Sequence, residues 1–212
     1  TLLDAAGVPV ATWTAPLPEA GTHGVDVRAV CEAHGVPLPF TGQLLADISS
    51  DGLVSGRPLQ VLAEYRDVDG AGTLVHGQYG TSPRPLAHEI GAMRVDPDAV
   101  MQQLSVVNGL VSARAVEIQP RLTLRNHAGV TRRTRLPRVP AHGSILVDLH
   151  ELVPDLHEFL EGRAGQVSVR VPYPATRIAI CATYADGRRV VNHGTIDRVF
   201  DQARGVPARW TE

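Results

Sequence analysis

Two histidines at matching places in the chain are the residues best suited to bind a metal ion or an anion. His76 and His193 are each followed by glycine, and each comes after an Asp-Gly turn that starts at Asp69 or Asp186. If these segments pack together, the two imidazoles could share a ligand, with Asp197 nearby. The alternative is that each His-Gly pair ends a strand through backbone hydrogen bonds. The lack of a carboxylate or thiolate at metal-ligand spacing favours that alternative.

A cluster of arginines between Thr131 and Arg138 offers a second kind of site. A strand here would place Arg133 and Arg135 on one face and Arg132 on the other. Guanidinium groups bind carboxylates well, so a protein or a glycan that carries carboxylates is the expected ligand. The alternative is an edge strand whose charges prevent pairing with the sheets of other molecules.

Aromatic side chains are the third feature, because a ring can stack on the face of a sugar. Most of the rings, namely Trp13, Tyr65, Tyr173 and Tyr184, are expected in hydrophobic cores. Tyr79 is kept as a candidate for ligand contact. The candidate ligand-binding residues are therefore His76, His193, Arg133, Arg135 and Tyr79, and the two histidines are also the candidates for a metal site.

Motifs of the common catalytic classes are missing from the sequence. It has no Gly-x-Ser-x-Gly elbow, no His-Glu-x-x-His, no Gly-rich phosphate loop and no Cys-x-x-Cys pair. This argues against hydrolase, metalloprotease, nucleotide-dependent and redox chemistry, although carboxylates brought together by folding stay open. We therefore expect a protein without catalytic residues or a cofactor, and an enzyme is the alternative.

Charge and hydropathy exclude two classes of partner. The formal net charge is -2 at pH 7, which does not suggest binding to a polyanion, so nucleic acid is not an expected partner. No apolar run approaches the roughly 20 residues that a membrane-spanning helix needs. We expect a soluble chain without a membrane span.

The chain contains an internal repeat. Residues 4–8 match residues 126–130, and at the same offset Gly21-Thr22 matches Gly143-Ser144. With small changes of loop length, Gly42-Gln43-Leu44 matches Gly165-Gln166-Val167, and His76-Gly77 matches His193-Gly194. The shared residues are mostly those that fix turns, so the repeat conserves backbone geometry. The sequence predicts a tandem duplication.

Each copy has the pattern of a β-sandwich with short helices in its connections. Residues 121–125, 166–171 and 177–182 alternate between apolar and polar positions, as half-buried strands do, and residues 61–65 show the same alternation. Short strands at this spacing, separated by turns, are typical of sandwiches. We predict a mainly β fold of two tandem, duplicated sandwich domains, each with its own core.

The boundaries follow from the repeat and from a proline-rich stretch between the copies. We predict a first sandwich at residues 1–95, a connector at 96–112 and a second sandwich at 113–212. Pro97 suits the first turn of a helix, so the connector is expected to carry one short helix over residues 97–104.

Residues 38–44, 58–63, 136–148 and 165–171 resemble bacterial immunoglobulin-like accessory modules. Such modules run from a proline-rich approach through a short helical segment to a strand opened by glycine, and they end in a hairpin. The resemblance implies a bacterial protein that binds, spaces or presents, and it transfers no catalytic residue. The His-Gly pairs are not part of that pattern.

These observations favour a non-catalytic binding or structural and assembly protein that acts through a surface for a protein or glycan partner. The alternative is an enzyme or metal-dependent binder with a site between the repeats at His76 and His193. A homo-oligomer or a larger assembly stays open, because duplicated sandwiches leave strand edges that can pair. Because the sequence starts at Thr1, the compartment stays open between the cytoplasm and export after removal of a signal.

Overall fold

A computed structural model describes residues 1–16, 23–46, 62–66, 72–76, 88–109, 116–171, 176–197, 200–201 and 206–207. The strands, in chain order, are β1 (Leu2–Asp4), β2 (Pro9–Ala11), β3 (Gly42–Leu44), β4 (Leu62–Arg66), β5 (Gly72–His76), β6 (His88–Val95), β7 (Met101–Asn108), β8 (Arg121–Arg125), β9 (Thr131–Arg135), β10 (Ser144–Asp148), β11 (Gly165–Val171), β12 (Thr176–Thr183), β13 (Arg189–His193), β14 (Thr195–Asp197), β15 (Phe200–Asp201) and β16 (Val206–Pro207). The helices are α1 (Val27–Ala33), α2 (Leu149–Leu152) and α3 (Leu156–Leu160). In the described part of the chain, no helix is long and apolar enough to cross a membrane.

The described chain is mainly β, as predicted, and its largest unit is a sandwich of two antiparallel sheets. One sheet has five strands in the order β14-β6-β11-β8-β9, and the other has four in the order β10-β7-β12-β13. Apolar side chains from both sheets meet in one core, together with residues of α2 and α3. Its fully buried members include Leu104, Val106, Leu122, Val169 and Ile180.

The strands of this sandwich follow from alternation. The predicted strands at residues 121–125, 166–171 and 177–182 are confirmed as β8, β11 and β12. Buried positions alternate with more exposed ones along all three, because successive side chains of a strand point to opposite faces. Each strand can therefore contribute one face to the core and one face to the surface.

The helix predicted at residues 97–104 is wrong. Residues 96–100 form a turn in which Asp96 Oδ1 accepts a hydrogen bond from the Asp98 amide at 3.2 Å. Met101 then begins β7, a central strand of the four-stranded sheet. Alternate residues of β7 are buried, and two of them are polar, Gln102 and Asn108. Because these two buried residues are polar, the alternation of apolar and polar residues that is typical of a strand is incomplete in the sequence of β7. Pro97 is compatible with a turn as well as with the first turn of a helix.

The predicted connector at residues 96–112 also contributes to the second sandwich. β6 pairs with β11, and β7 pairs with β10 and β12. β6 lies within residues 1–95, the predicted first domain, yet it is an interior strand of the five-stranded sheet. The strand pairing therefore joins residues 88–108 to the part of the chain after residue 116.

A smaller unit precedes this sandwich. Its sheet has the order β2-β1-β3, and α1 packs against it. Its core contains Leu2, Ala11 and Cys31, with Trp13 and Phe40 packed at its margin. β4 and β5 pair with each other as a two-stranded sheet, and β5 lies beside β13. The described chain therefore has two hydrophobic cores, and the core of the sandwich is much larger than that of the smaller unit.

Two turns of the chain have the same hydrogen bonds. Asp4 and Asn126 each open a turn whose glycine, Gly7 or Gly129, has a positive φ of 85° or 82°. In each turn the side-chain oxygen at the first position accepts hydrogen bonds from the amides two and four residues later, over 2.9–3.1 Å. Asn126 also donates from Nδ2 to the Phe159 carbonyl at 3.2 Å.

The first of these turns lies against the large sandwich. The Ser144 amide donates to the Ala5 carbonyl at 3.0 Å, and Gln43 Nε2 donates to the His142 carbonyl. A Cβ added at Gly7 would overlap the backbone of residues 141–143, and one added at Gly143 would lie 2.5 Å from the Ala5 oxygen. The backbones touch here, so the two units dock through this turn.

A polar network closes the sandwich next to the turn at residues 96–100. The Tyr184 hydroxyl donates to Asp96 Oδ2 at 3.0 Å, and Arg94 forms an ion pair with the same carboxylate at 3.0 Å. Burial by itself raises the pKa of the Asp96 carboxyl, but the hydrogen bonds from Asp98, Tyr184 and Arg94 outweigh it and hold that pKa below its usual value. Burial and the bond to Asp96 raise the pKa of Tyr184.

Tyr184→Phe is expected to lower the free energy of unfolding by about 1–2 kcal/mol at neutral pH, because a hydrogen bond to a carboxylate is lost. The pKa of the Asp96 carboxyl is lower in the folded protein than in the unfolded chain, where it is about 4. The carboxylate therefore stabilises the fold above about pH 4, and this stabilisation is lost as the pH falls through the folded-state pKa. The difference between the variant and the wild type should therefore shrink below about pH 4. Urea unfolding measured from acid to neutral pH checks this, and a difference that stays constant would refute it.

Candidate functional site: an arginine face on the five-stranded sheet

Strand register brings three arginines into one row. Arg121 lies directly across from Arg135 on β9 and directly across from Arg170 on β11. Neighbouring strands are about 4.8 Å apart, so the three side chains leave the sheet at close intervals. Like charges directly opposite each other on a sheet repel. On the other side of Arg170, the register continues to Glu89 of β6 and then to Asp197 of β14.

The row lies on the outer surface of the sheet. Leu122 and Leu124 of β8 are buried in the core, so the alternate residues Arg121 and Arg125 project to the opposite side. Arg133 pairs with Thr123 on that same outer side. We call this surface the arginine face, and its arginines are Arg121, Arg125, Arg133, Arg135 and Arg170.

Four of these arginines have no carboxylate partner in the described part of the chain. Arg121, Arg125, Arg133 and Arg135 are exposed, and none of them forms an ion pair with a described carboxylate. Arg170 is half-buried and does interact within the protein. The described part of the face therefore holds positive charge that is not neutralised.

Two neighbouring arginines outside the face, Arg132 and Arg138, form ion pairs with carboxylates. Arg132 points to the core side, where it binds Asp155 at 2.5 Å and lies over the Phe159 ring at 4.5 Å from the centroid. The hydrogen bond and charge of Arg132 lower the pKa of the Asp155 carboxyl. Arg138 binds Glu117 at 2.6 Å. Carboxylates thus accompany the arginines beside the arginine face.

The edge next to the arginine face is open in the described chain. β9 ends the order of the five-stranded sheet and pairs only with β8 there. On the inner side of this edge, between β9 and the α2–α3 connection, lies a shallow cavity of about 220 Å³. Its lining combines five apolar residues with four polar or charged ones, namely Leu122, Leu124, Leu152, Val153 and Pro154 with Arg132, Arg133, Thr134 and Asp155. In the described part of the chain, a polar outer face and a cavity of mixed polarity therefore flank one open strand edge.

No known protein family, curated protein or solved structure matches this chain.

The predicted residues Arg133 and Arg135 lie together on the arginine face, with Arg132 on the other side of the strand. Sequence reasoning missed Arg121, Arg125 and Arg170, because they reach the face only through the pairing of β8 and β11. The signal that was available is the Arg-x-x-x-Arg spacing of residues 121–125, which places both ends of a five-residue strand on one face. Tyr79 lies outside the described residues.

The structure places the strands that carry the two candidate histidines, His76 and His193, beside each other. His76 is across from Leu62 in its hairpin, His193 is across from Ala179, and β5 lies beside β13. His193 is half-buried and interacts within the protein. The side chain of His76 is outside the described part. Among the described residues, no group of three potential ligands from His, Cys, Asp and Glu comes together, and a metal shared by the two histidines stays a prediction.

Proposed function

We propose that this protein is a non-catalytic binding module that takes an acidic segment of a partner protein on its arginine face. The observation that carries the proposal is the row of Arg135, Arg121 and Arg170 across three adjacent strands. Guanidinium groups bind carboxylates through paired, charge-assisted hydrogen bonds, and several in a row bind several carboxylates at once. The bound carboxylates would also relieve the repulsion within the row.

A protein is favoured over a glycan by the make-up of the surface. The outer positions of β8, β9 and β11 carry arginine, threonine, serine and glutamine, and no aromatic ring that could stack on a sugar. The open edge of β9 offers backbone hydrogen bonds that an extended peptide can use. A carboxylated glycan is the alternative ligand, and the experiment below separates the two.

The expected partner segment is an extended strand in which acidic and apolar residues alternate. Added to the edge of β9, such a strand would place every second side chain on the outer face, beside Arg133 and Arg135. The remaining side chains would point to the inner side, where Leu122 and Leu124 line the cavity together with the paired Arg132 and Asp155. Backbone pairing would contribute affinity, and the two faces would contribute specificity.

We also propose that the two β units are copies of one module of the immunoglobulin-like kind. The matching turns at Asp4 and Asn126 support this, as does register: Leu3 is across from Gln43, and the matching residues Arg125 and Gln166 are across from each other. The helices that follow start alike, since Asp26 caps α1 and Asp148 caps α2 with a hydrogen bond from the amide two residues later. Modules of this kind bind and present, which agrees with the proposed role.

The test is the affinity for a short peptide in which glutamate alternates with valine. Replacing Arg121, Arg133 and Arg135 together by glutamine should weaken binding by between about 3-fold and about 100-fold, because each exposed ion pair contributes about 0.2–1 kcal/mol. Binding by the wild type should also weaken as salt is added, since salt screens exposed charges. Isothermal titration calorimetry measures both effects.

The control variant removes the same charge elsewhere, through Arg28→Gln, Arg138→Gln and Arg163→Gln. These three arginines are exposed and lie outside the arginine face, so the affinity should stay within about twofold of the wild type. A peptide of the same composition with its glutamates in one block tests the alternation. The proposal fails if both triple variants lose affinity equally, or if an oligogalacturonate binds more tightly than the alternating peptide.

A further inference from the structure

Residues 148–163, which contain α2 and α3, form an acidic stretch next to β9. They contain five carboxylate side chains and a single arginine, Arg163. The two helices bury apolar residues such as Leu149 and Leu156, so their opposite side carries polar residues. Three of the carboxylates belong to exposed residues, namely Glu151, Glu158 and Glu161. We call the surface that carries these three the acidic surface.

Contacts with the β8–β9 hairpin hold α3 along the inner side of that hairpin. Arg132 of β9 lies over the Phe159 ring at 4.5 Å from the centroid. Asn126, where β8 ends, donates from Nδ2 to the Phe159 carbonyl at 3.2 Å. His127 Nε2 lies 3.8 Å from Glu161 Oε2. The acidic surface and the arginine face therefore lie on opposite sides of one hairpin.

Each of these surfaces lacks opposite charge that the other could supply. In the described part of the chain, Glu151 and Glu158 form no ion pair. The contact between Glu161 and His127 is an ion pair only when the imidazole is protonated. The four exposed arginines of the arginine face likewise have no described carboxylate partner.

The two surfaces cannot neutralise each other within one chain. The arginine face projects from the outer side of the five-stranded sheet, whereas α2 and α3 pack against its inner side. Buried leucines of β8, Leu122 and Leu124, belong to the core between them. Complementary charges that point away from each other in one molecule can meet when two molecules associate.

We propose that the arginine face binds the acidic surface of a second copy of this chain. The inference rests on the proposed function, since it names the chain itself as one acidic partner of the arginine face. The second copy presents helices rather than a strand, so this contact uses the arginine side chains and leaves the edge of β9 unpaired. At high concentration the chain therefore covers its own binding face, and another acidic partner has to displace the second copy.

The contact joins two different surfaces, so it is not limited to pairs of molecules. Each copy can bind one neighbour through its arginine face and another through its acidic surface. The spacing of the charges is similar on the two sides. Arg133 and Arg135 are two residues apart on a strand, or about 7 Å, and Glu158 and Glu161 are about 5 Å apart along the axis of α3.

Sedimentation equilibrium at low and high salt is the measurement. A few exposed ion pairs give a weak contact, so the suitable protein concentrations run from about 10 µM to about 1 mM. At low salt the average mass should rise above the 22.7 kDa of one chain as the concentration increases. It should return to the mass of one chain at high salt, because the screening length falls from about 30 Å at about 10 mM salt to about 3 Å at about 1 M.

Charge reversal tests each surface separately. The face-reversed variant carries Arg121→Glu, Arg133→Glu and Arg135→Glu. The helix-reversed variant carries Glu151→Arg, Glu158→Arg and Glu161→Arg. Each variant alone brings like charges together, so its association should weaken at least about 100-fold. An equimolar mixture should regain association, because the two reversed surfaces match each other and the two native surfaces do as well. Circular dichroism checks that each variant is folded.

The matched control reverses three exposed carboxylates outside both surfaces, through Glu32→Arg, Asp98→Arg and Glu117→Arg. It has the same net charge as the helix-reversed variant, and its association should stay within about twofold of the wild type. The inference is overturned if the wild type keeps the mass of one chain up to about 1 mM at low salt. It is also overturned if the control loses association as fully as the helix-reversed variant, or if the mixture does not regain it.

Peptide binding by the helix-reversed variant separates this inference from the proposed function. That variant keeps the arginine face and cannot self-associate, so calorimetry with the alternating glutamate-valine peptide tests the face alone. If it binds the peptide while the wild type stays at the mass of one chain, the inference is overturned and the proposed function stands. If the wild type self-associates through these surfaces and the variant does not bind the peptide, the inference stands and the acidic-strand proposal is overturned.

Discussion

Asn126→Asp is expected to lower the free energy of unfolding by about 3 kcal/mol at neutral pH. The Asn126 side chain is buried and donates from Nδ2 to the Phe159 carbonyl while its oxygen accepts the two amides of the turn. A carboxylate keeps the acceptor and loses the donor, so two oxygens would face each other in a buried place. Chemical unfolding at pH 7 measures the loss.

The matched control is Asp4→Asn in the other turn. Asp4 only accepts, from the amides of Ala6 and Val8, and an amide oxygen can accept both bonds. The change in stability should stay within about 0.5 kcal/mol. Burial raises the pKa of a carboxyl group introduced at position 126, so that variant should recover relative to the wild type as the pH falls and the group protonates. Equal effects of the two substitutions at pH 7 would contradict this account of the turns.

Gly7→Ala is expected to destabilise the docking of the two units by about 3 kcal/mol. The new Cβ overlaps the backbone of residues 141–143, and a positive φ adds strain of about 1–2 kcal/mol for an alanine. The hydrogen bond from the Ser144 amide to the Ala5 carbonyl must then break or lengthen. Hydrogen exchange at the Ser144 amide, in dilute protein, reports the contact directly and should speed up about 100-fold or more.

Gly129→Ala is the control that introduces backbone strain at a positive φ without a clash of the new Cβ. Its φ of 82° is close to the 85° of Gly7, yet an added Cβ at Gly129 meets no atom within 4 Å. The variant should lose only the roughly 1–2 kcal/mol of backbone strain, and the Ser144 amide should exchange at the wild-type rate. If Gly7→Ala leaves that rate unchanged as well, the docking contact is not what protects the amide.

The strands that could be predicted from sequence share one property, namely regular alternation. In residues 166–171 and 177–182 the buried positions are valine, isoleucine or alanine, and the intervening ones are more polar or small. β7 breaks this rule because Gln102 and Asn108 occupy buried positions. Gln102 Oε1 accepts a hydrogen bond from the Asp96 amide, and Asn108 Nδ2 donates hydrogen bonds to the Val116 and Pro140 carbonyls. The Pro140 carbonyl is 32 residues from Asn108, and the other two hydrogen bonds form only when the segments beside β7 fold back onto it, so the period of two within β7 did not reveal them.

In the candidate site too, features within one strand could be predicted from the sequence, and features that depend on the pairing of strands could not. The position of Arg133 and Arg135 on one face follows from a period of two within a single strand. The row itself depends on the register that sets Arg121 across from both Arg135 and Arg170. Register between strands far apart in sequence is fixed by the shared core face of β8 and β11, which no single segment encodes.

The most direct test of the arginine face is to map where an acidic peptide binds, by recording backbone amide shifts of the protein while the alternating glutamate-valine peptide is added. The account predicts that the shifts concentrate on β8, β9 and β11, with the largest at the amides of Arg133 and Arg135 on the open edge strand. Shifts centred on β13 and His193, or shifts spread evenly over the exposed arginines, would contradict it.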